Sequence, residues 1–165
     1  MKLIVATEKN WGIGKENALL VHLPGDLKFF KEQTTGKVII LGRKTLETFP
    51  GGKPLPKRTN VVISGNPDFA KEGCIMASSV EDAVRKATEL SSGDDDNIVV
   101  CGGASIYEQM LPMCDTCIVT RMEQVFEADR FFPDLDSKPE FEKVWESQPQ
   151  TENGVTYRFV EYRRK

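Results

Sequence analysis

Four short runs of apolar residues, rich in valine and isoleucine, constrain most strongly what this chain can fold into. The runs are Leu3–Ala6, Val38–Leu41, Val61–Ile63 and Ile98–Cys101, with a weaker fifth at Cys117–Val119. Because they are apolar without alternation, such runs are typical of strands that are buried on both faces of a parallel sheet. We therefore expect a largely parallel sheet whose strands contain these five runs.

Helical patterns lie between the runs. Apolar residues recur at helical spacing over Val80–Leu90, and Ser78 with Glu81 forms a capping box at the start of that helix. An apolar stripe predicts a second helix over 23–34, and a third helix follows the Gly102-Gly103 pair. Each predicted helix thus separates two predicted strands.

This alternation of strand and helix predicts an α/β fold. We expect a single domain over 1–165, with a mostly parallel, twisted mixed sheet flanked by helices. A chain of 165 residues with 39% apolar residues suffices for one such core. The alternating segment Thr156–Arg163 adds an antiparallel edge strand or hairpin arm.

Composition restricts the partners and the compartment. The net charge of −3 argues against nucleic acid or an anionic membrane as the main partner. No apolar run approaches the ~20 residues of a membrane span, and the first apolar segment is too short for a signal peptide. Four cysteines do not make a disulfide scaffold, so we expect a cytoplasmic protein.

A metal site is not expected. His22 is the only histidine, which excludes a multi-histidine site, and we interpret it as a loop residue. Cys114 and Cys117 have the CxxC spacing, but Cys117 opens a strand and the other two cysteines lie in or beside strands. We interpret all four as structural thiols.

Small and hydroxyl residues follow three of the predicted strands. The segments are Gly42-Arg43-Lys44-Thr45, Ser64-Gly65-Asn66 and Gly102-Gly103-Ala104-Ser105. We interpret each segment as a junction from a strand to a helix. The free N–H groups at the helix start attract phosphate, glycines allow close approach, and the cations add charge. Together the segments indicate a site for a phosphorylated dinucleotide, although none matches a Rossmann or P-loop pattern in full. Taken singly, each segment is more typical of an ordinary turn glycine with a hydroxyl cap.

Asp26 is the main candidate for acid–base chemistry. It falls in the first turn of the 23–34 helix, beside the stripe of Leu23, Leu27 and Phe30. A carboxyl group that faces an apolar cleft has its pKa raised by desolvation and can exchange protons with a substrate. The alternative is that Asp26 only stabilises the helix N-terminus.

Two further segments suggest ligand contacts. The loop Glu8–Leu20 is long for a connection from strand to helix, and Gly12 and Gly14 are candidate hinges of an active-site lid. Arg58, after the stiff segment Pro54–Pro56, is a candidate clamp for a carboxylate. The alternatives are an ordinary surface loop and a solvated charge.

Taken in chain order, these motifs resemble dihydrofolate reductase of the bacterial chromosomal type. The resemblance covers essentially the whole chain, and the ordered set of motifs is highly specific. The matching segments are Gly14–Ala18, Leu23–Lys31, Leu41–Thr45, Pro54–Asn60, Gly102–Tyr107, Thr120 and Phe132-Pro133.

The resemblance implies NADPH-dependent reduction of 7,8-dihydrofolate to 5,6,7,8-tetrahydrofolate. It implies that Asp26 binds the pterin N3 and 2-amino group and supports protonation of N5, with Thr120 bonded behind it. Hydride passes from nicotinamide C4 to pterin C6. The family also implies a cis bond between Gly102 and Gly103 and binding of antifolate-type small molecules. We expect a monomer, because the sequence shows no large exposed apolar face.

The same resemblance assigns the site residues. Those expected to bind the substrate are Ile4, Val5, Asp26, Leu27, Phe30, Phe49, Leu55, Arg58, Cys101 and Thr120. Those expected to bind the cofactor are Ala6, Ile13, Gly14, Asn17, Ala18, Gly42, Arg43, Lys44, Thr45, Ser64, Cys101, Gly102, Gly103, Ala104, Ser105, Ile106 and Tyr107. Arg58 would pair with the glutamate α-carboxylate, and the residues around Ile13 and Tyr107 would surround the nicotinamide.

Two positions depart from the family pattern. Val21 stands where the family usually has tryptophan, which affects proton delivery, and Gly65 replaces a hydroxyl residue that often helps to bind the 2′-phosphate. Two alternatives remain: a reductase of the same fold that acts on a ribosylated pyrimidine of riboflavin synthesis, and a non-catalytic nucleotide-binding protein. The first would lack the Leu-Pro-x-Asp-Leu element, and the second would need no buried carboxylate.

Overall fold

The computed structural model describes residues 1–165 and is organised around one large mixed sheet. Together, the large sheet and a small second sheet contain eleven strands. They are β1 (Lys2–Thr7), β2 (Gly12–Gly14), β3 (Val38–Gly42), β4 (Thr59–Ile63), β5 (Cys74–Ala77), β6 (Ile98–Gly102), β7 (Thr116–Met122), β8 (Arg130–Phe131), β9 (Phe141–Glu146), β10 (Gln150–Glu152) and β11 (Val155–Arg164). The helices are α1 (Pro24–Thr34), α2 (Arg43–Glu47), α3 (Val80–Leu90) and α4 (Ala104–Met110). Short 3-10 turns cover Pro50–Gly52, Asp95–Asn97, Leu111–Met113 and Leu135–Ser137.

The strand order in the large sheet is β10-β11-β7-β1-β6-β3-β4-β5, and β9 also pairs with β11. The strands from β7 to β5 in this order run parallel, whereas β11 is antiparallel to β7, β9 and β10. Strands β2 and β8 form the separate two-stranded sheet. The predicted α/β class and all five predicted apolar strands are confirmed.

The sheet is buried on both faces, as its unbroken apolar runs require. One face packs against α3 and α4 in a cluster of 25 buried residues. A smaller cluster on Ile39, Leu41 and Leu46 is covered by the aromatic side chains of α1. At the antiparallel end, Phe29 of α1 stacks on Phe159 of β11 with ring centroids 3.8 Å apart. This stack fixes α1 across the carboxyl ends of β1 and β7.

Two details of the sequence prediction are wrong, and the structure decides between two alternatives for a third. The segment after β4, which contains Ser64, leads into β5 instead of a helix. The cap of α3 is Ser79, whose side chain accepts from the Asp82 N–H at 3.0 Å, because the helix begins one residue later than the Ser78 box implies. Of the two alternatives for the C-terminal segment, the hairpin arm is confirmed: β11 pairs antiparallel with β10 and lies between β7 on one side and β9 and β10 on the other, so it is not an edge strand.

The cysteines and the histidine have no special partners. All four thiols are unbridged, and Cys114 and Cys117 are buried. Burial raises the pKa of Cys114 to about 12 and that of Cys117 well above its usual range, so both thiols remain protonated. His22 is an exposed loop residue, as predicted. None of the helices has the length and apolar character needed to cross a membrane.

Candidate active site

A cavity of about 650 Å³ opens at the carboxyl ends of β1, β3, β4 and β6. Every residue that the sequence resemblance assigned to the cofactor lines this cavity. The lining also includes Gly65 and Asn66 of the predicted Ser64-Gly65-Asn66 segment, and four residues that were not assigned to the cofactor: Leu19, Thr48, Ile63 and Arg130. Ile63 directly precedes Ser64 and could have been found from it. Arg130 comes from β8, far along the chain, and no local pattern marks it.

Cationic side chains supply most of the attraction for an anion in this cleft. Helices α2 and α4 have only five and seven residues, so their dipoles are weaker than those of longer helices. Arg43, Lys44 and Arg130 line the cleft and carry full charges. The Arg43 guanidinium is 2.7 Å from the Glu47 carboxylate, a surface pair that an incoming phosphate must compete with.

Main-chain atoms of Gly102 and Gly103 form part of the cleft surface. The peptide bond between Gly102 and Gly103 is cis, and Gly102 has a φ of 120°, where only glycine is comfortable. A Cβ at Gly103 would lie 3.2 Å from the Thr45 hydroxyl oxygen. The absence of side chains here lets a flat ligand approach the main chain closely.

The segment Glu8–Leu20 covers one side of the cleft and is held at several points. The Asp129 N–H donates to the Gly14 carbonyl, and the Glu16 N–H donates to the Asp129 carboxylate, both at 2.9 Å. Gly12 and Gly14 lie in β2 with ordinary backbone angles. A Cβ at Gly12 would be 2.6 Å from the Ala128 Cβ. Close packing therefore explains Gly12 better than the hinge that we expected.

Buried polar contacts hold the start of the Glu8–Leu20 segment in place. The buried Glu8 carboxylate accepts from the Gly12 N–H at 2.7 Å and from the Phe126 N–H at 3.1 Å. Arg121 lies over the Trp11 ring, 3.8 Å from its centroid, and donates to the Glu8 carbonyl at 2.9 Å. These contacts join the start of the lid segment to the connection that follows β7.

Asp26 lines a second, smaller cavity of about 30 Å³. The Thr120 hydroxyl of β7 donates to the Asp26 carboxylate at 2.6 Å. Burial raises the pKa of Asp26, the bond from Thr120 lowers it, and the negative charge of Glu152 raises it further. The net result is an acid with a pKa above its usual range, facing a cleft.

The two cavities adjoin each other. Ala6, Ile13 and Leu19 line both of them, so a ligand in the large cleft lies next to one that contacts Asp26. Val21 lines the small cavity as well, at the position where the family pattern has tryptophan.

An apolar wall connects Asp26 with the far side of the site. Ile4 and Cys101 are buried in one cluster, and the partly buried Phe30, Phe49 and Leu55 pack against it. The Leu27 side chain is 40% exposed and lines the small cavity. Val5, by contrast, belongs to the opposite cluster and reaches the large cleft.

Buried hydroxyl and thiol groups near this wall stay neutral. The Tyr107 hydroxyl donates to the Ile4 carbonyl at 2.7 Å, and burial raises the pKa of Tyr107 well above its usual range. Burial likewise raises the pKa of Cys101. Neither group competes with Asp26 as an acid or base near neutral pH.

Arg58 is presented by a braced loop. Its guanidinium donates to the Thr34 hydroxyl at 3.2 Å and to the Pro56 carbonyl at 2.9 Å. The buried Asn60 side chain bonds the Leu55 N–H and carbonyl and the Arg58 carbonyl at 3.0–3.1 Å. Sequence reasoning missed Asn60, although an asparagine beside a Pro-rich loop is a recognisable signal for such bracing.

Comparisons with known proteins agree with this architecture. A family model described as dihydrofolate reductase matches residues 1–164. The dihydrofolate reductase of Bacillus subtilis is 37% identical over all of this chain and 95% of its own length. That of Haemophilus influenzae is 43% identical over 81% of this chain and 79% of its own length.

A solved structure leads to the same result. The dihydrofolate reductase from Enterococcus faecalis, complexed with NADP(H) and RAB-propyl, superposes with a TM-score of 0.82 and is 36% identical. The match covers 99% of this chain and 95% of that one. On the family model, the curated relatives and the shared fold, the chain belongs to the dihydrofolate reductase family.

Proposed function

We propose that this protein reduces 7,8-dihydrofolate to 5,6,7,8-tetrahydrofolate with NADPH. The observation that carries the proposal is the pair of adjoining cavities, one open and lined by cations and glycines, the other ending at Asp26. Membership of the family supports the same activity, and the Enterococcus faecalis relative was solved with NADP(H). The ribosylated-pyrimidine alternative is not favoured by any of these findings.

Asp26 is the acid–base residue of the proposal. A carboxyl group whose pKa is raised by burial exchanges protons nearer neutral pH than a solvated one. Its carboxylate binds N3 and the 2-amino group of the pterin and supports protonation of N5. Thr120 donates to Asp26 and so fixes the orientation of the carboxyl group that faces the substrate.

The large cleft fits NADPH in size and in chemistry. Its volume is in the range of cofactor sites, and its cations match the phosphates of a dinucleotide. Arg43 and Lys44 would hold the 2′-phosphate end, and Ala6, Ile13 and Tyr107 would surround the nicotinamide. When bound, NADPH supplies the hydride that reduces C6 of the pterin.

The remaining substrate contacts follow the shape of dihydrofolate. Leu27, Phe30, Phe49 and Leu55 form an apolar surface for the aminobenzoyl group, and Ile4, Val5 and Cys101 line the inner end. Arg58, braced by Thr34, pairs with the α-carboxylate of the glutamate tail. Antifolate-type molecules, which carry a similar heterocycle, would compete for the same pocket.

We also propose that the protein works in the cytoplasm as a monomer. The support for the compartment is the set of four unbridged cysteines. Light scattering of the purified protein tests the monomer, and a mass of twice the chain would contradict it.

The activity is tested by measuring NADPH oxidation in the presence of dihydrofolate. We expect one NADPH oxidised per dihydrofolate, with tetrahydrofolate as the product. Oxidation with a ribosylated aminopyrimidine but not with dihydrofolate would favour the riboflavin-type reductase. Tight NADPH binding with neither substrate consumed would favour the non-catalytic alternative.

A further inference from the structure

A second carboxylate reaches the helix that carries Asp26. Glu152, at the end of β10, is 127 residues away in sequence from Gly25 of α1. Its Oε1 accepts from the Gly25 N–H at 2.8 Å and from the Tyr157 hydroxyl at 2.5 Å. Gly25 directly precedes Asp26, so the Glu152 carboxylate is bonded to the backbone beside the proposed acid.

The residue at position 25 has to be small for this contact to exist. A Cβ at Gly25 would lie 2.7 Å from the Glu152 Oε1 and would also collide with the Tyr157 hydroxyl oxygen. Gly25, Glu152 and Tyr157 therefore form one fitted unit that joins α1 to the β10–β11 hairpin.

The surroundings of Asp26 make the charge of Glu152 matter. The groups that face Asp26 come from the preceding loop and from α4, β7, β10 and β11; they are His22, Tyr107, Thr120, Glu152 and Tyr157. Burial keeps both tyrosines protonated, and Thr120 is neutral. No lysine or arginine contacts the Asp26 carboxyl group, so the negative charge of Glu152 is not offset by an ion pair at Asp26.

We propose that Glu152 is a positioning residue for Asp26: it fixes the first turn of α1 through Gly25 and, by its negative charge, favours the protonated form of the Asp26 carboxyl group. Glu152 lines neither of the two cavities, which distinguishes it from a catalytic residue. The proposal rests on the proposed function for its kinetic test, because that test needs turnover of dihydrofolate. It implies that the β10–β11 hairpin helps to set the pH range of the enzyme.

Glu152→Gln removes the negative charge of residue 152 and keeps its hydrogen bonds to Gly25 and Tyr157. The amide oxygen of glutamine can still accept from Gly25 and Tyr157, whereas the negative charge is lost. We expect the pH profile of single-turnover hydride transfer to move to lower pH, with a roughly two- to tenfold lower rate at pH 8 and an unchanged rate at low pH. NADPH affinity should not change.

Two further variants make the result specific. Glu123→Gln, an exposed residue after β7 that pairs with Arg158 at 3.9 Å, removes the same charge away from Asp26 and should leave the profile in place. Glu152→Ala removes both the charge and the acceptor and should move the profile at least as far as Glu152→Gln. If Glu152→Gln behaves like the wild type and only Glu152→Ala is impaired, Glu152 is merely structural and the proposal is wrong.

A readout without turnover keeps this proposal separate from the proposed function. The Asp26 carboxyl carbon can be titrated by NMR in ligand-free protein that is labelled with ¹³C at aspartate. We expect its midpoint to fall in Glu152→Gln and to stay constant in Glu123→Gln. An unchanged midpoint would overturn the proposal even if the enzyme is active, whereas a lowered midpoint without dihydrofolate turnover would overturn only the proposed function.

Discussion

The large cleft and the Asp26 pocket adjoin each other, yet they are built in different ways. The cleft takes its surface from the ends of four strands and from a lid segment, and much of that surface is glycine and main chain. The Asp26 pocket is small, and its chemistry depends on one carboxyl group that is bonded to Thr120 of β7, next to Gly25, whose N–H is bonded to Glu152 of β10. Binding is thus distributed over many weak contacts in the cleft and concentrated on a few side chains in the pocket.

This difference predicts how each region tolerates change. Losing one contact among many costs a fraction of the binding energy, because the neighbouring contacts remain. Losing the only acid in an apolar pocket leaves no substitute, since the nearby tyrosines and Cys101 are held neutral. The largest effects are therefore expected in the smaller region.

Asp26→Asn should have the largest effect. We expect hydride transfer to fall by at least ~10²-fold at pH 7, the usual scale for positioned acid–base help, while NADPH affinity is unchanged. The loss should shrink at low pH, where solvent protonates the substrate. Single-turnover rates from pH 5 to 9 measure this, and a near-wild-type rate at pH 7 would remove Asp26 from the mechanism.

Arg58→Ala should come next, because Arg58 is the one arginine on the loop braced by Asn60. We expect dihydrofolate to bind roughly 10–100-fold more weakly, while a pterin without the glutamate tail binds almost as before. Dissociation constants for both ligands test this. Lys53→Ala, an exposed cation on the same loop, is the control. Equal weakening of both ligands would mean that the loop itself has moved.

Arg43→Ala tests the large cleft and should have a smaller effect than Asp26→Asn or Arg58→Ala. We expect about tenfold weaker NADPH binding, because the lost phosphate contact is partly offset by release from Glu47. NADH affinity should hardly change. Arg85→Ala, a surface arginine paired with Asp82 on α3, is the matched control. If both cofactors lose affinity equally, Arg43 does not recognise the 2′-phosphate.

The smallest effect concerns stability. Because burial raises the pKa of Asp26, the folded protein binds more protons than the unfolded chain above pH ~3.9, and the free energy of unfolding falls as pH rises towards the folded pKa. Asn at position 26 cannot ionise, so Asp26→Asn should be more stable at pH 7. We expect a gain in Tm of roughly 2–4 °C that disappears on acidification. A Tm difference independent of pH would contradict this.

Sequence reasoning succeeded where the signal is local. The five apolar runs predict buried strands because both faces of the parallel sheet need apolar side chains. Strand β9 was missed because only Phe141 of its six residues is buried, which leaves no apolar pattern. Strand β5 was missed because it is a half-buried edge strand of four residues.

The site divides in the same way. Three segments of the cleft lining are contiguous motifs at strand ends and can be recognised locally, whereas the other cleft residues were assigned by the family resemblance. Glu152 and Asn60 were missed because their roles depend on contacts made in the fold, across 127 residues for Glu152 and within a braced loop for Asn60. Only the three-dimensional structure brings Glu152 beside α1.

The interior position of β11 has a consequence for incomplete chains. A polypeptide that stops before Val155 contains every parallel strand, but β7 then has no partner on one side along seven residue pairs. Its unpaired N–H and C=O groups and apolar side chains form an open edge of the kind that recruits other strands. A chain from a ribosome that stalls late, or one cut by a protease in the β10–β11 turn, would therefore contain a nearly complete sheet that is prone to aggregate. Such a chain would also lack Tyr157 beside Asp26.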